Sequence, residues 1–191
     1  MKIANGRDTD EAAVHDVPEF PLASLRIRPM KIDDDLYALA EALGRAAKAR
    51  GALIATAESC TGGLVAGAIT AVAGSSDWFE RGFVTYSNAA KIDDLGVAPE
   101  TIERFGAVST ETAVEMARGA IDASRAQWSV AVTGVAGPGG GSPGKPVGTV
   151  CFGWAGPAGV QSEMQQLEGG RHEVRHESIR IALAGLIDRL A

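Results

Sequence analysis

The chain has 191 residues, 46% of them hydrophobic but only 5% aromatic, and a formal net charge of −6. Such a length suffices for one well-cored domain built from Ala, Val, Ile and Leu, and the acidic balance argues against a nucleic-acid-binding surface. No apolar run reaches the length of a membrane span, no secretory hydrophobic segment opens the chain, and Cys60, Cys151, His15, His172 and His176 are too scattered to suggest a disulfide framework or a zinc site.

Residues 1–30 are mixed in charge and carry Pro18, Pro21 and Pro29 without a sustained period, which predicts a mobile extension ahead of one domain over 31–191. From Asp33 the pattern changes. Leu36, Leu39, Ala40, Leu43 and Ala47 recur at helical spacing behind an acidic first turn, and Gly51 supplies the stop. A short buried strand is expected over 52–57, breaking at Glu58-Ser59 and feeding a Gly/Ala-rich helix from Thr61 to about Val72.

A second strand is expected over 82–86, then a short helix carrying Lys91 and ending at Gly96. Pro99–Phe105 gives another helical turn, and Ser109 caps an amphipathic helix with Ala113, Met116, Ala117, Ala120 and Ile121 on one face. Trp128–Thr133 reads as a third buried strand running into a glycine-rich stretch, Gly134 to Gly141. Strands over 147–154 and 159–167 have the short Gly156-Pro157 connection of an antiparallel pair, and a last helix starts near Arg171. Strands alternating with helices and a terminal hairpin predict an α/β fold: a three-layer α/β/α sandwich around a mixed, mostly parallel sheet.

In open α/β sheets ligands sit at the carboxyl ends of strands. Three such ends carry hydroxyls: Ser59, Tyr86 and Thr133. At Ser59 the turn leaves a side chain clear of the sheet, while Thr61, Gly62 and Gly63 open the next helix and let a ligand approach the backbone. A serine needs a group to take its proton, and no histidine is well placed. Lys91 stands close enough to Tyr86 to fold back over the same edge, and a desolvated lysine can serve as base, with Tyr86 as relay. Taken alone, Lys91 reads as a solvated helix-face lysine, as most lysines do. The glycine-rich loop after Thr133 and Gly134, with Lys145 beyond it, has the composition of a phosphate cradle or of a plain flexible connection; it is not a Walker A motif. Arg171, at a helix start, adds a fixed positive charge suited to phosphate or carboxylate, and Arg175 competes for that role.

Taken together, several stretches carry a resemblance. They are Thr56-Ala57-Glu58-Ser59-Cys60-Thr61-Gly62-Gly63, Val84-Thr85-Tyr86-Ser87-Asn88 with Lys91, and Gly106-Ala107-Val108-Ser109. Val132-Thr133-Gly134-Val135-Ala136-Gly137-Pro138 with Lys145-Pro146-Val147-Gly148-Thr149, and Gly170-Arg171 with Val174-Arg175, complete the set. From about residue 33 to the end, the chain resembles the CinA C-terminal domain family, whose characterised members are nicotinamide-nucleotide amidohydrolases. The composition points to the cytoplasm, and the resemblance implies a hydrolase, usually dimeric, that needs no metal or cofactor and deamidates nicotinamide mononucleotide in pyridine-nucleotide salvage. It also implies Ser59 as nucleophile, Lys91 as base, Tyr86 as relay, and Thr133 and Arg171 as substrate contacts. Two other readings stay open: a non-catalytic nucleotide-binding or competence-related module of the same fold, and Cys60 as the nucleophile, its thiolate stabilised in a first helical turn.

Overall fold

The computed structural model describes residues 32–191; the extension expected over residues 1–30 lies outside the described residues. Asp33 accepts a hydrogen bond from the Leu36 N–H at 2.9 Å and so caps α1 (Asp34–Arg50), which ends on Gly51 in the left-handed conformation at φ 60. The stripe that α1 buries is Leu36, Ala40, Leu43, Gly44 and Ala47, and Leu39, expected on it, is half-buried at its margin. β1 (Ile54–Glu58) is buried along its whole length.

The helix after it, α2 (Leu64–Thr70), begins at Leu64 rather than Thr61, because Gly62 and Gly63 adopt φ 61 and 92 and lengthen the turn. β2 (Phe79–Val84) starts before the expected residue 82 and ends before 86. It pairs only with β1, so its outer edge faces solvent, and charged Glu80 and Arg81 on that edge mask the strand pattern. Then come α3 (Asn88–Leu95) and α5 (Thr110–Asp122), capped by Ser87 and Ser109, with α4 (Pro99–Phe105) between them. β3 (Trp128–Gly134) precedes the hairpin of β4 (Thr149–Gly156) and β5 (Gly159–Gln166), and α6 (Arg171–Leu190) closes the chain.

The sheet order is β2-β1-β3-β4-β5. β1 is parallel to both its neighbours and β4 is antiparallel to both of its own, so every strand except β4 runs in one direction. Helices α1, α2 and α6 cover one face, where Ile54, Val130, Val132, Val150, Phe152 and Trp154 form the core. On the other face lies α5, with α3 and α4 packed against it, and here the strands present Ala55, Ala57, Ala131 and Ala155. These small residues bring α5 down onto the sheet: a Cβ on Gly153 would lie 2.4 Å from the Ala113 carbonyl oxygen. Among the described residues no helix is long and apolar enough to cross a membrane.

The connections decide where a ligand can enter. From β1 the chain moves to β2 through α2 on one face, and from β2 it returns past β1 to β3 through α3, α4 and α5 on the other. The crevice at the carboxyl ends of β1 and β3 is therefore a topological switch point.

Candidate active site

The site begins where the β1 ladder runs out. The Glu58 carbonyl accepts from the Thr85 N–H at 2.8 Å, and the Ser59 N–H donates to the Val132 carbonyl at 2.9 Å, so pairing to both neighbours continues to the last residue of the strand and one beyond. Gly62 then folds back, its N–H donating to the Ser59 carbonyl at 3.0 Å. Lys91, on α3, is 1% exposed. Its Nζ lies 3.0 Å from the Ser59 Oγ and donates to the Thr85 carbonyl at 2.7 Å. Burial lowers the Lys91 pKa below its ordinary value, and Cys60 acts weakly in the opposite sense. No neighbouring cation is among the causes of the lowering; desolvation alone is.

Lys91 Nζ is thus within hydrogen-bond distance of both the Thr85 carbonyl and the Ser59 hydroxyl, and in its neutral form such an amine could accept the hydroxyl proton. A cavity of about 320 Å³ opens over the pair, walled by Tyr86, Asn88, Ala107, Thr133, the start of the glycine-rich loop from Gly134 to Gly140, and Arg171. The Thr133 hydroxyl donates to the Ala107 carbonyl at 2.7 Å, which leaves its oxygen lone pairs free to accept. Arg171, the first residue of α6, reaches across the mouth and donates to the Gly137 carbonyl at 3.0 Å and the Tyr86 hydroxyl at 3.3 Å. Tyr86 is 62% exposed and stands beyond the end of β2, not on it. Ser59 and Lys91 touch directly, so no relay lies between them, and the Tyr86 hydroxyl is engaged with Arg171.

Other residues singled out from the sequence lie elsewhere. Thr61, Gly62 and Gly63 do not wall the cavity: Thr61 is buried, and the Gly63 N–H donates to Glu58. The start of α2, expected to face a ligand, is closed by the Glu58 carboxylate, which accepts from the Gly63, Val65 and Ala66 N–H groups. Lys145 turns away from the cavity and binds the Phe105 carbonyl at the end of α4. Arg175 donates to the Thr61 carbonyl at 2.8 Å, which leaves Arg171 as the arginine at the cavity.

Cys60 does wall the cavity, but burial pushes its thiol up to about 12, and it lies in the turn ahead of α2 and not in a helical turn. Burial thus works against the thiolate that the Cys60 reading requires. Asn88 is the wall residue that the sequence reading passed over, visible there only as part of the stretch around Tyr86. Glu58 was missed as well, since it reaches N–H groups five to eight residues ahead, outside the usual capping spacing.

A serine–lysine pair at a switch point, under an arginine-rimmed cavity, defines the class, and the chain belongs to the CinA C-terminal domain family, whose model matches residues 36–190. It is similar to the nicotinamide-nucleotide amidohydrolase PncC of Escherichia coli K12, at 52% identity over 155 residues, covering 81% of this chain and 94% of that protein. A putative competence-damage inducible protein of Symbiobacterium thermophilum is 50% identical over an alignment of 159 positions that covers 78% of this chain but 37% of that longer protein. The crystal structure of the competence/damage inducible protein CihA from Agrobacterium tumefaciens matches with a TM-score of 0.80 at 49% identity, covering 83% of this chain and 98% of that one.

Proposed function

We propose that this chain hydrolyses the carboxamide of nicotinamide mononucleotide, giving nicotinate mononucleotide and ammonia in pyridine-nucleotide salvage. The observation that carries the reading is the buried Lys91 amine, 3.0 Å from the Ser59 Oγ and without an ion pair among the described residues. The identity to proteins named nicotinamide-nucleotide amidohydrolase supports the choice of substrate.

In this reading the Ser59 Oγ attacks the carboxamide carbon while neutral Lys91 takes the hydroxyl proton. The adduct collapses as Lys91 returns that proton to the departing nitrogen, the C–N bond breaks and ammonia leaves. Water, deprotonated by Lys91, then attacks the ester carbon; the bond to Ser59 breaks and its oxygen recovers the proton. Arg171 pairs with the substrate phosphate, for which a guanidinium at a helix start is suited. Tyr86 holds that arginine, and Thr133 accepts a hydrogen bond from the substrate.

The test is direct. Purified protein is incubated with nicotinamide mononucleotide, and ammonia and nicotinate mononucleotide are both quantified. Equal yields of the two are expected. Tight binding measured by calorimetry without ammonia release would replace the enzyme with a nucleotide-binding module on the same fold.

A further inference from the structure

Glu58 lies next to Ser59, is 1% exposed and does not wall the cavity. Its Oε2 accepts from the Gly63 and Val65 N–H groups at 3.0 Å each and its Oε1 from the Ala66 N–H at 2.8 Å, with the Thr56 hydroxyl 3.4 Å away. These three donors are N–H groups that the start of α2 leaves without intrahelical partners, and one buried carboxylate next to Ser59 takes them all. We propose that Glu58 is the positioning residue for Ser59, fixing the nucleophile against its base by holding both sides of the turn.

The turn between Glu58 and Leu64 contains two glycines at positive φ and is by itself permissive. A 3.0 Å contact between Ser59 and Lys91 needs both partners referenced to one frame. Glu58 supplies it. Its main-chain carbonyl holds the Thr85 N–H, and the Thr85 carbonyl in turn holds Lys91. Its side chain holds Gly63, Val65 and Ala66, on the far side of Ser59. The same contacts occupy the N–H groups at the start of α2, so an anionic substrate group gains nothing there and is left to Arg171.

This inference rests on Ser59 and Lys91 as the reacting pair, and the experiment separates the two claims. Glu58→Gln keeps the shape but turns an NH₂ toward main-chain N–H donors. Turnover of nicotinamide mononucleotide should fall about a hundredfold, as for a nucleophile displaced by about 1 Å, while KM and the pH at which activity rises stay put. Labelling of Ser59 by an alkyl fluorophosphonate, which needs no nucleotide, should slow in parallel.

Glu115→Gln is the control, since Glu115 accepts from the Ala98 N–H at 2.8 Å and the Thr101 hydroxyl at 2.6 Å in a similar way at α4 and does not wall the cavity. It should lose stability and keep turnover. Equal turnover loss in the two variants, or a Glu58→Gln variant with unchanged labelling, would overturn the proposal. If Glu58→Gln does not fold, Ala66→Pro removes only the main-chain donor to Oε1, at a first-turn position that tolerates proline. Slower labelling of that variant, with native circular dichroism, supports the role, and a wild-type rate refutes it. A wild-type protein that labels without deamidating overturns the amidohydrolase reading and leaves the labelling comparison in force; one that does neither overturns both.

Discussion

Lys91→Met tests the electrostatics of the site through stability as well as activity. The variant keeps the length of the side chain and deletes the amine. The buried Thr85 carbonyl then loses its donor, which costs about 1–3 kcal/mol at every pH. Against that stands the relief of a desolvated charge, about 1.4 kcal/mol for each unit by which burial depresses the Lys91 pKa. The sign follows from proton binding. Folded Lys91 holds its proton less tightly than unfolded Lys91, whose pKa is near 10.5, so between the two values the unfolded chain carries more protons. Wild-type stability therefore rises with pH in that window, by at most about 1.4 kcal/mol per pH unit, and below the folded value the penalty is present in full. Urea titrations of both proteins from neutral to alkaline pH, subtracted so that other groups cancel, should give a wild-type advantage that grows with pH. Deamidation should be absent in the variant and, in the wild type, rise with pH as Lys91 loses its proton. A flat difference would mean that the Lys91 pKa is the same folded and unfolded, and the base assignment would fail.

Ser59→Ala should abolish ammonia release, whereas Cys60→Ala should retain most of it, because a thiol held near 12 supplies no thiolate; the opposite pattern in a steady-state assay would move the nucleophile. Arg171→Ala should raise KM for nicotinamide mononucleotide about tenfold or more, the weight of a hydrogen bond to a charged group, and leave the unphosphorylated nucleoside nearly unaffected. Equal KM changes for both substrates would place the phosphate elsewhere. Gly153→Ala should destabilise by about 1–3 kcal/mol, since its Cβ would press on the Ala113 carbonyl oxygen of α5 at 2.4 Å. Calorimetry should then show a fall of about 2–10 °C in Tm, and an unchanged Tm would mean that α5 shifts freely.

The layers and the terminal hairpin were legible because each buried segment carries its own period and its own stop, as in α1 between Asp33 and Gly51 or α5 behind Ser109. Ser59, Thr133, Gly134 and Arg171 could be gathered at one end of the sheet because chain order alone places strand ends and a helix start there. Lys91 needed its resemblance to a known pattern, since nothing in its local sequence distinguishes a buried amine from a solvated one. The misplaced contacts share a physical origin. Main-chain donors at Gly63 and a carbonyl at Phe105 are invisible in a list of side chains, yet they decide that Glu58 closes α2 and that Lys145 turns aside. The Tyr86–Arg171 contact joins residues far apart in the chain, and no periodicity encodes such a pair.

The reversal of β4 has a consequence for how sites on this scaffold can diverge. In an all-parallel sheet the chain leaving β3 would cross over and re-enter at the other end of the strands. Here it leaves at Gly134 and must come back at Thr149 beside the same crevice. Two hydrogen bonds clasp the base of that excursion, from the Val135 N–H to the Thr149 carbonyl and from the Gly148 N–H to the Val135 carbonyl, each at 2.8 Å. Lys145 staples it to α4, and Arg171 grips it at Gly137. Residues 135–148 are thus an interchangeable cassette, anchored at its hem and free of strand register. Its first part, from Val135 to Gly140, walls the cavity from outside β1 and α3, the elements that lead to Ser59 and carry Lys91.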